Sequence, residues 1–179
     1  MAELEIRPAR QEDLDKMVAL DHSSTSEYAY KLEVMREKNT STHSFQRVYL
    51  PRAVTITYPK DEASLLNSWS KADAIFVGIV QNQVVAYVAL DSKSIHGTVR
   101  VSDLVVTPAL RRKGVGSGIL LACEGWAHDH QSHRLLAEVQ MRNDPAIQLV
   151  KQLGYQICGY LDQYFPNHDT ALFFDKRIS

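Results

Sequence analysis

The 179-residue chain has only two cysteines, Cys123 and Cys158, with no Cys-x-x-Cys pair and no zinc-type spacing. A disulfide framework or a structural zinc site is therefore not what holds it together, and two buried, reduced thiols are expected. No apolar run approaches the roughly 20 residues needed to cross a bilayer. Residues 1–10 are too polar and too charged for a secretory signal, so the expected setting is the cytoplasm, with no membrane partner. Charge of one sign is also missing. The formal net charge is -1, so no bulk field draws the protein to nucleic acid, and any anion site must be local. Internal repeats and low-complexity tracts are absent. What remains is the composition of one soluble domain, 45% hydrophobic and 23% charged, long enough to bury a core without staples.

The pattern along the chain predicts an α/β (α+β) fold. Leu4 to Arg7 reads as a strand. Ala9 to Asp13 opens a helix with Leu14, Met17, Val18 and Leu20 on its apolar side. The spacing of Tyr28, Leu32 and Met35 predicts a second helix over 27–38, followed by a polar loop from Asn39 to Ser44. Arg47 to Tyr58 reads as an irregular strand broken by Pro51, and Asp61 to Trp69 as a short helix. Ala74 to Val80 and Val84 to Leu90 are apolar runs joined by the polar Gln81 to Gln83, a hairpin signal. Asp91 to Gly97 reads as a loop, and strands are expected at Thr98 to Val106 and Leu135 to Val139. Val115 to His130 is amphipathic. Pro145 to Leu153 reads as a helix with proline in its first turn and Gly154 at its end. Tyr155 to Leu161 and Thr170 to Lys176 complete a mixed, mostly antiparallel sheet flanked by helices.

The chemistry concentrates in 104–121, LVVTPALRRKGVGSGILL. A strand ends at Val106, Pro108 blocks further ladder bonding, and Arg111, Arg112 and Lys113 lead into Gly114, Gly116 and Gly118. A helix then starts. Its first turn offers N–H groups without internal partners at the positive end of the macrodipole. The glycines allow close backbone approach, so the segment reads as a phosphate cradle. The plain alternative is a tight strand-to-helix turn shaped by glycine. The loop lacks the Gly-Lys-Ser/Thr of a P-loop, and its GxGxG spacing is not the dinucleotide GxGxxG. His128, His130 and His133 straddle a helix end without convergent spacing, so no metal is expected.

With these residues in view, the chain resembles the GCN5-related N-acetyltransferases. Arg111-Arg112-Lys113-Gly114-Val115-Gly116 matches that family's R/Q-x-x-G-x-G/A signature, and Leu104-Val105-Val106-x-Pro108 matches the strand before it. Asn143, Ala146, Leu149 and Leu153-Gly154-Tyr155 match its second segment. The likeness is close from 74 to 176 and looser before that. The tail, through Tyr164-Phe165-Pro166 to Phe174, is similar to streptothricin-type acetyltransferases.

The resemblance implies a single domain over 1–179, with acceptor-side elements in 1–73 and an acetyl-coenzyme A-binding core in 74–179. It implies a sheet that splays open. It places the diphosphate on the amides of Arg112, Lys113, Gly114, Val115, Gly116 and Ser117, beside Arg111. The pantetheine arm would pair along Leu104, Val105 and Val106 and touch Asn143. The implied reaction is acetyl transfer to a primary amine, with the Val106 N–H stabilising the oxyanion. Asp103 is the candidate base and Glu138 the second. The family's thiol-protonating tyrosine falls on Val150, which cannot donate. Tyr155, Tyr160 or Tyr164 could replace it, the thiolate could leave unaided, or the domain could bind coenzyme A without turnover. Tyr28 and Tyr30 fall where the family builds its acceptor pocket. The acceptor is a small-molecule amine or a protein amino group, and a homodimer stays open. The competing functions are a non-catalytic acyl-coenzyme A sensor or interaction module and, more distantly, a nucleotide-diphosphate binder.

Overall fold

Turn chemistry and capping set most element boundaries in the computed structural model, which describes residues 3–178. Met1, Ala2 and Ser179, included in the single-domain expectation, lie outside the described residues. Strand β1 (Glu5–Pro8) leads through a 3-10 turn into the short helix α1 (Leu14–Val18). Two long strands follow, β2 (Ser24–Glu37) and β3 (Thr40–Ile56), then helix α2 (Glu62–Lys71), capped by the Asp61 side chain on the Ser64 N–H. Strands β4 (Ala74–Val80) and β5 (Gln83–Ile95) are joined by Gln81 and Asn82 at φ 49° and 61°, the left-handed pair that a tight hairpin demands. Strand β6 (Thr98–Val106), helix α3 (Val115–Asp129), strand β7 (Arg134–Gln140), helix α4 (Asp144–Gln152) and strands β8 (Gln156–Leu161) and β9 (Ala171–Arg177) complete the chain. Gly154, at φ 87°, ends the α4 segment.

The main sheet runs β1-β4-β5-β6-β7-β9-β8, and only β6 and β7 pair in parallel. One face packs on α3 and α4 through Ile119, Leu120, Cys123, Ile147 and Val150 against Val88, Leu135 and Leu172. The other packs on α1 and α2 through Met17, Leu65 and Trp69 against Val77, Tyr87 and Val105. Among the described residues no helix is long and apolar enough to cross a membrane.

The helix expected over 27–38 is a strand. β2 and β3 form a separate antiparallel hairpin, and the expected loop at 39–44 is mostly its return strand. The spacing misled because a step of four residues fits two periods of a strand as well as one turn of a helix. Tyr28, Tyr30, Leu32 and Val34 in fact share one face, opposite Tyr49, Arg47, Phe45 and His43. That face lies on α4. Tyr30 enters the core there, its N–H reaches Met141 O at 3.1 Å, and the Arg47 guanidinium donates two hydrogen bonds to the Asp144 carboxylate at 2.7 and 2.8 Å. The loop expected at 91–97 is likewise shorter, because β5 continues to Ile95.

Candidate active site

Strands β6 and β7 are in register only from Thr98↔Arg134 to Val101↔Ala137. Beyond Val101 they part, and a cleft opens between them, lined by Ser102, Asp103, Leu104, Glu138, Val139, Asn143, Leu149 and Val150. The cause lies on the other side of β6. Its pairing with β5 slips by one residue, with Ala89 opposite Asp103 and Leu90 opposite Val101, so Ser102 is a bulge. A one-residue bulge bends the strand and swaps its faces. Val99 and Val101 face α3 before the bulge and Leu104 and Val106 after it, while Val105 faces the opposite helices. The Thr107 N–H bonds Val85 O at 2.8 Å. By antiparallel alternation the Val105 N–H also points to β5, and the N–H groups of Leu104 and Val106 point into the cleft.

At the far end of the cleft α3 begins. Gly114, at φ 86°, turns the chain into it, and no side chain caps it. Asp61 and Asn143 cap α2 and α4, so among the described residues α3 is the one longer helix that presents its first N–H groups bare. Ser117 sits at the third helical position and is not a cap. Arg112 and Lys113 are exposed beside it. Arg111 differs: its Nε donates to Val106 O at 2.8 Å and its terminal nitrogen to Asp21 O at 3.2 Å, so it braces the loop, and burial lowers its pKa. A Cβ on Gly116 would lie 3.0 Å from Leu149 Cδ2, so this glycine lets α3 and α4 approach at the cleft wall. The bare helix start, the exposed cations and the two inward N–H groups suit a diphosphate followed by an extended amide arm.

Asp103 emerges on the face of β6 that packs toward α1 and α2, with its carboxylate fully buried. It accepts from Lys60 Nζ at 2.8 and 2.9 Å, from Tyr58 O–H at 2.6 Å and from Ser68 at 3.3 Å. Burial, then the Asp103 charge, pushes the Tyr58 phenol well above its ordinary value. Glu138 faces the cleft from β7. It accepts from Arg100 at 3.1 Å and from Tyr164 O–H at 2.9 Å, and Arg100 also pairs with Asp91 at 3.0 Å. Burial and Glu138 push the Tyr164 pKa up to about 12. Asn143 lines the cleft, its Oδ1 accepting from the Ala146 N–H at 3.3 Å.

The three candidate proton donors are dispersed. Tyr160 meets His43 Nδ1 of the hairpin at 3.0 Å, Tyr164 is committed to Glu138, and Tyr155 O–H is buried without a partner among the described residues. None of them lines the cleft. Val150 does, as part of the core. Tyr28 and Tyr30 belong to the hairpin, where Arg47 stacks 3.6 Å over the Tyr28 ring. His130 stacks on Trp126 at 3.9 Å, and no metal-binding group of His, Cys, Asp or Glu exists among the described residues. Cys123 is buried, as expected, with its thiol pushed up to about 12, whereas Cys158 is exposed. Lys60, Tyr58 and Arg100 were not singled out by sequence reasoning. The one available signal was a phenol at Tyr87 within the apolar run of β5, which had to find a polar partner.

A sheet splayed beside an uncapped, glycine-rich helix start defines the class of acetyl-coenzyme A-dependent N-acetyltransferases. The chain belongs to the acetyltransferase (GNAT) family, whose sequence model matches residues 35–155. It is 22% identical over 160 residues to a streptothricin acetyltransferase from Streptomyces lavendulae, covering 87% of this chain and 82% of that one. Its fold is similar to that of a nourseothricin acetyltransferase, with TM-score 0.80, 20% identity and coverage of 98% of this chain and 99% of the other. It is also similar to a putative streptothricin acetyltransferase from Bacillus anthracis str. Ames, solved in complex with acetyl coenzyme A (TM-score 0.76, 17% identity, coverage 98% and 100%). The ribosomal-protein-S18-alanine N-acetyltransferase from Escherichia coli shares the fold at TM-score 0.71 and 15% identity, over 99% and 95% of the two chains.

Proposed function

We propose that the protein moves an acetyl group directly from acetyl-coenzyme A to a primary amine. The observation that carries this is the departure of β6 from β7 after Val101, which leaves the Leu104 and Val106 N–H groups facing a cleft beside the bare start of α3. In this reading the amides from Arg112 through Lys113, Gly114, Val115 and Gly116 to Ser117 hold the diphosphate, and Arg111 keeps their loop in shape. Leu104, Val105 and Val106 form the edge against which the pantetheine arm lies, and the Asn143 amide nitrogen is left over for it. The thioester carbonyl then falls at Val106, whose N–H stabilises the developing oxyanion.

The acceptor enters from the opposite face, over the floor formed by Asp103 and Glu138. Asp103 takes the amine proton as the nitrogen attacks, and Glu138, held by Arg100 and Tyr164, keeps the amine oriented. Direct transfer suits the thiols, since Cys123 is enclosed on the sheet-facing side of α3 and Cys158 lies on the outer strand β8. With Tyr160 and Tyr164 both engaged elsewhere, the coenzyme A thiolate departs without a phenol to protonate it. The division of labour is 1–73 for acceptor-side elements and 74–179 for the acetyl-coenzyme A core. The relatives bear names of small-molecule and of protein acetyltransferases, so the fold leaves the acceptor's size open.

Calorimetric titration with acetyl-coenzyme A, followed by thiol release against a panel of amines, tests this. Binding with release on a primary amine supports it. Binding with no release on any amine would favour a sensor, the reading that Val150 at the tyrosine position sustains. No binding would overturn the assignment of the cleft.

A further inference from the structure

The cleft already holds a primary amine. Lys60, on the segment between β3 and α2, is the one lysine among the described residues that lines it. It shares that lining with Leu104, Leu149 and Val150, so its amine opens on the space assigned to the thioester. Its Nζ donates to both Asp103 oxygens at 2.8 and 2.9 Å, to Ser102 O at 3.1 Å and to Ser68 Oγ at 3.3 Å. Ser102 and Asp103 belong to the bulge where β6 leaves β7, so the amine sits at the point where the sheet opens. The Lys60 side chain is 19% exposed, against 61% for Lys31 and 83% for Lys93. It is thus screened from bulk solvent yet bonded to the carboxylate assigned as the base.

We propose that Lys60 is an internal acceptor, acetylated by the acetyl-coenzyme A that its own cleft binds. The proposal rests on the transferase reading above. A flexible four-carbon stem lets the amine leave Ser102 and swing along the cleft to the thioester. The ammonium first gives one proton to Asp103. The freed lone pair attacks the acetyl carbonyl carbon, the C–N bond forms and the C–S bond breaks. The nitrogen's second surplus proton leaves with the coenzyme A thiolate. An ammonium and a carboxylate thus become a neutral amide and a neutral carboxylic acid. The step therefore strands no unpaired charge in the buried site, which is what makes the loss of one partner from such a pair costly. Holding amine, base and thioester in one cleft also replaces a bimolecular encounter with an intramolecular one.

The test is peptide mapping by mass spectrometry after the full chain is incubated with acetyl-coenzyme A and no added amine. An acetyl group should appear at Lys60, with an equivalent release of thiol. Plain chemical acetylation follows exposure, so it would label Lys31 and Lys93 ahead of Lys60. The proposal requires the reverse order, with Lys60 labelled at least about 100-fold faster than either. The rate per chain should not change with protein concentration. Excess coenzyme A, which fills the cleft without bringing an acetyl group, should suppress labelling of Lys60 and leave that of Lys31 and Lys93 as it was. Labelling of Lys60 that is no faster than that of Lys31, that ignores coenzyme A or that speeds up with protein concentration overturns the internal acceptor, even if the chain acetylates added amines. A chain that binds no acetyl-coenzyme A, or that binds it and releases no thiol to any amine or to Lys60, overturns the transferase reading itself, and the internal acceptor with it.

Discussion

At the scale of single residues the molecule depends most on buried charges that are fully paired. Lys60 and Asp103 are the clearest case, with side-chain exposures of 19% and 0%. Removing one partner leaves the other uncompensated, which for buried pairs costs about 3–5 kcal/mol, whereas replacing both with apolar groups costs much less. Lys60→Met should therefore lower the urea midpoint more than the Lys60→Met/Asp103→Leu double variant does. Equal or additive losses would show that the pair carries little coupling. Asp13 tells a similar story at the other end of the sheet. The Arg7 guanidinium, bonded to it at 2.7 and 3.1 Å, holds its pKa below the ordinary carboxylate value against the effect of burial. The unfolded chain therefore takes up this proton first as pH falls. The stability that Asp13 confers is complete above about pH 4 and is lost as pH drops through the lower folded value. Denaturation midpoints of Asp13→Asn should then depend less on pH than the wild type's in the acid range below about pH 4.

At the scale of elements, the start of α3 and the bulge in β6 do the most. Gly114 sits at φ 86° with open space around the position of a Cβ, so Gly114→Ala meets no clash and pays only for the left-handed backbone. That should cost about 1–2 kcal/mol and weaken acetyl-coenzyme A binding as the helix start tilts, both readable in one thermal-shift titration. Gly116→Ala is a different experiment, because the added methyl presses on Leu149 and so on α4. The strand expected at 98–106 was legible as a run of residues, yet the bulge at Ser102 was not. Which face Asp103 occupies depends on its register against β5, and that register is a property of two strands. The hairpin shows the same limit in reverse. Tyr28 and Leu32 satisfy both helical and strand spacing, and only the partner strand, with Phe45 opposite Leu32, decided between them.

At the scale of the whole molecule, two layers of helices clamp a seven-stranded sheet, and the β2–β3 hairpin lies outside it as an appendage on α4. Its outer half is largely exposed on both strands, while the middle of β5 is wholly buried. Amide exchange should follow that contrast. The amides of 86–90 should exchange only on global opening and those of 33–44 much earlier. Within the hairpin the Tyr30 N–H, tied to Met141 O, should be the slow exception. Uniform protection of the hairpin would mean that it is held by more than α4.

By itself the sequence determined the apolar runs of β4 and β5, the proline-led and glycine-ended helix α4, and the signature loop that marks an acetyl-coenzyme A enzyme. Each of these is a local property, readable from neighbours a few residues apart. The tertiary structure alone decided what surrounds the cleft. Lys60 reaches Asp103 across 43 positions, Glu138 meets Arg100 across 38, and His22 meets Tyr87 across 65. Those encounters carry no periodic signal, because they arise from strand order, register and one bulge, and these are settled by packing rather than by any segment's own pattern.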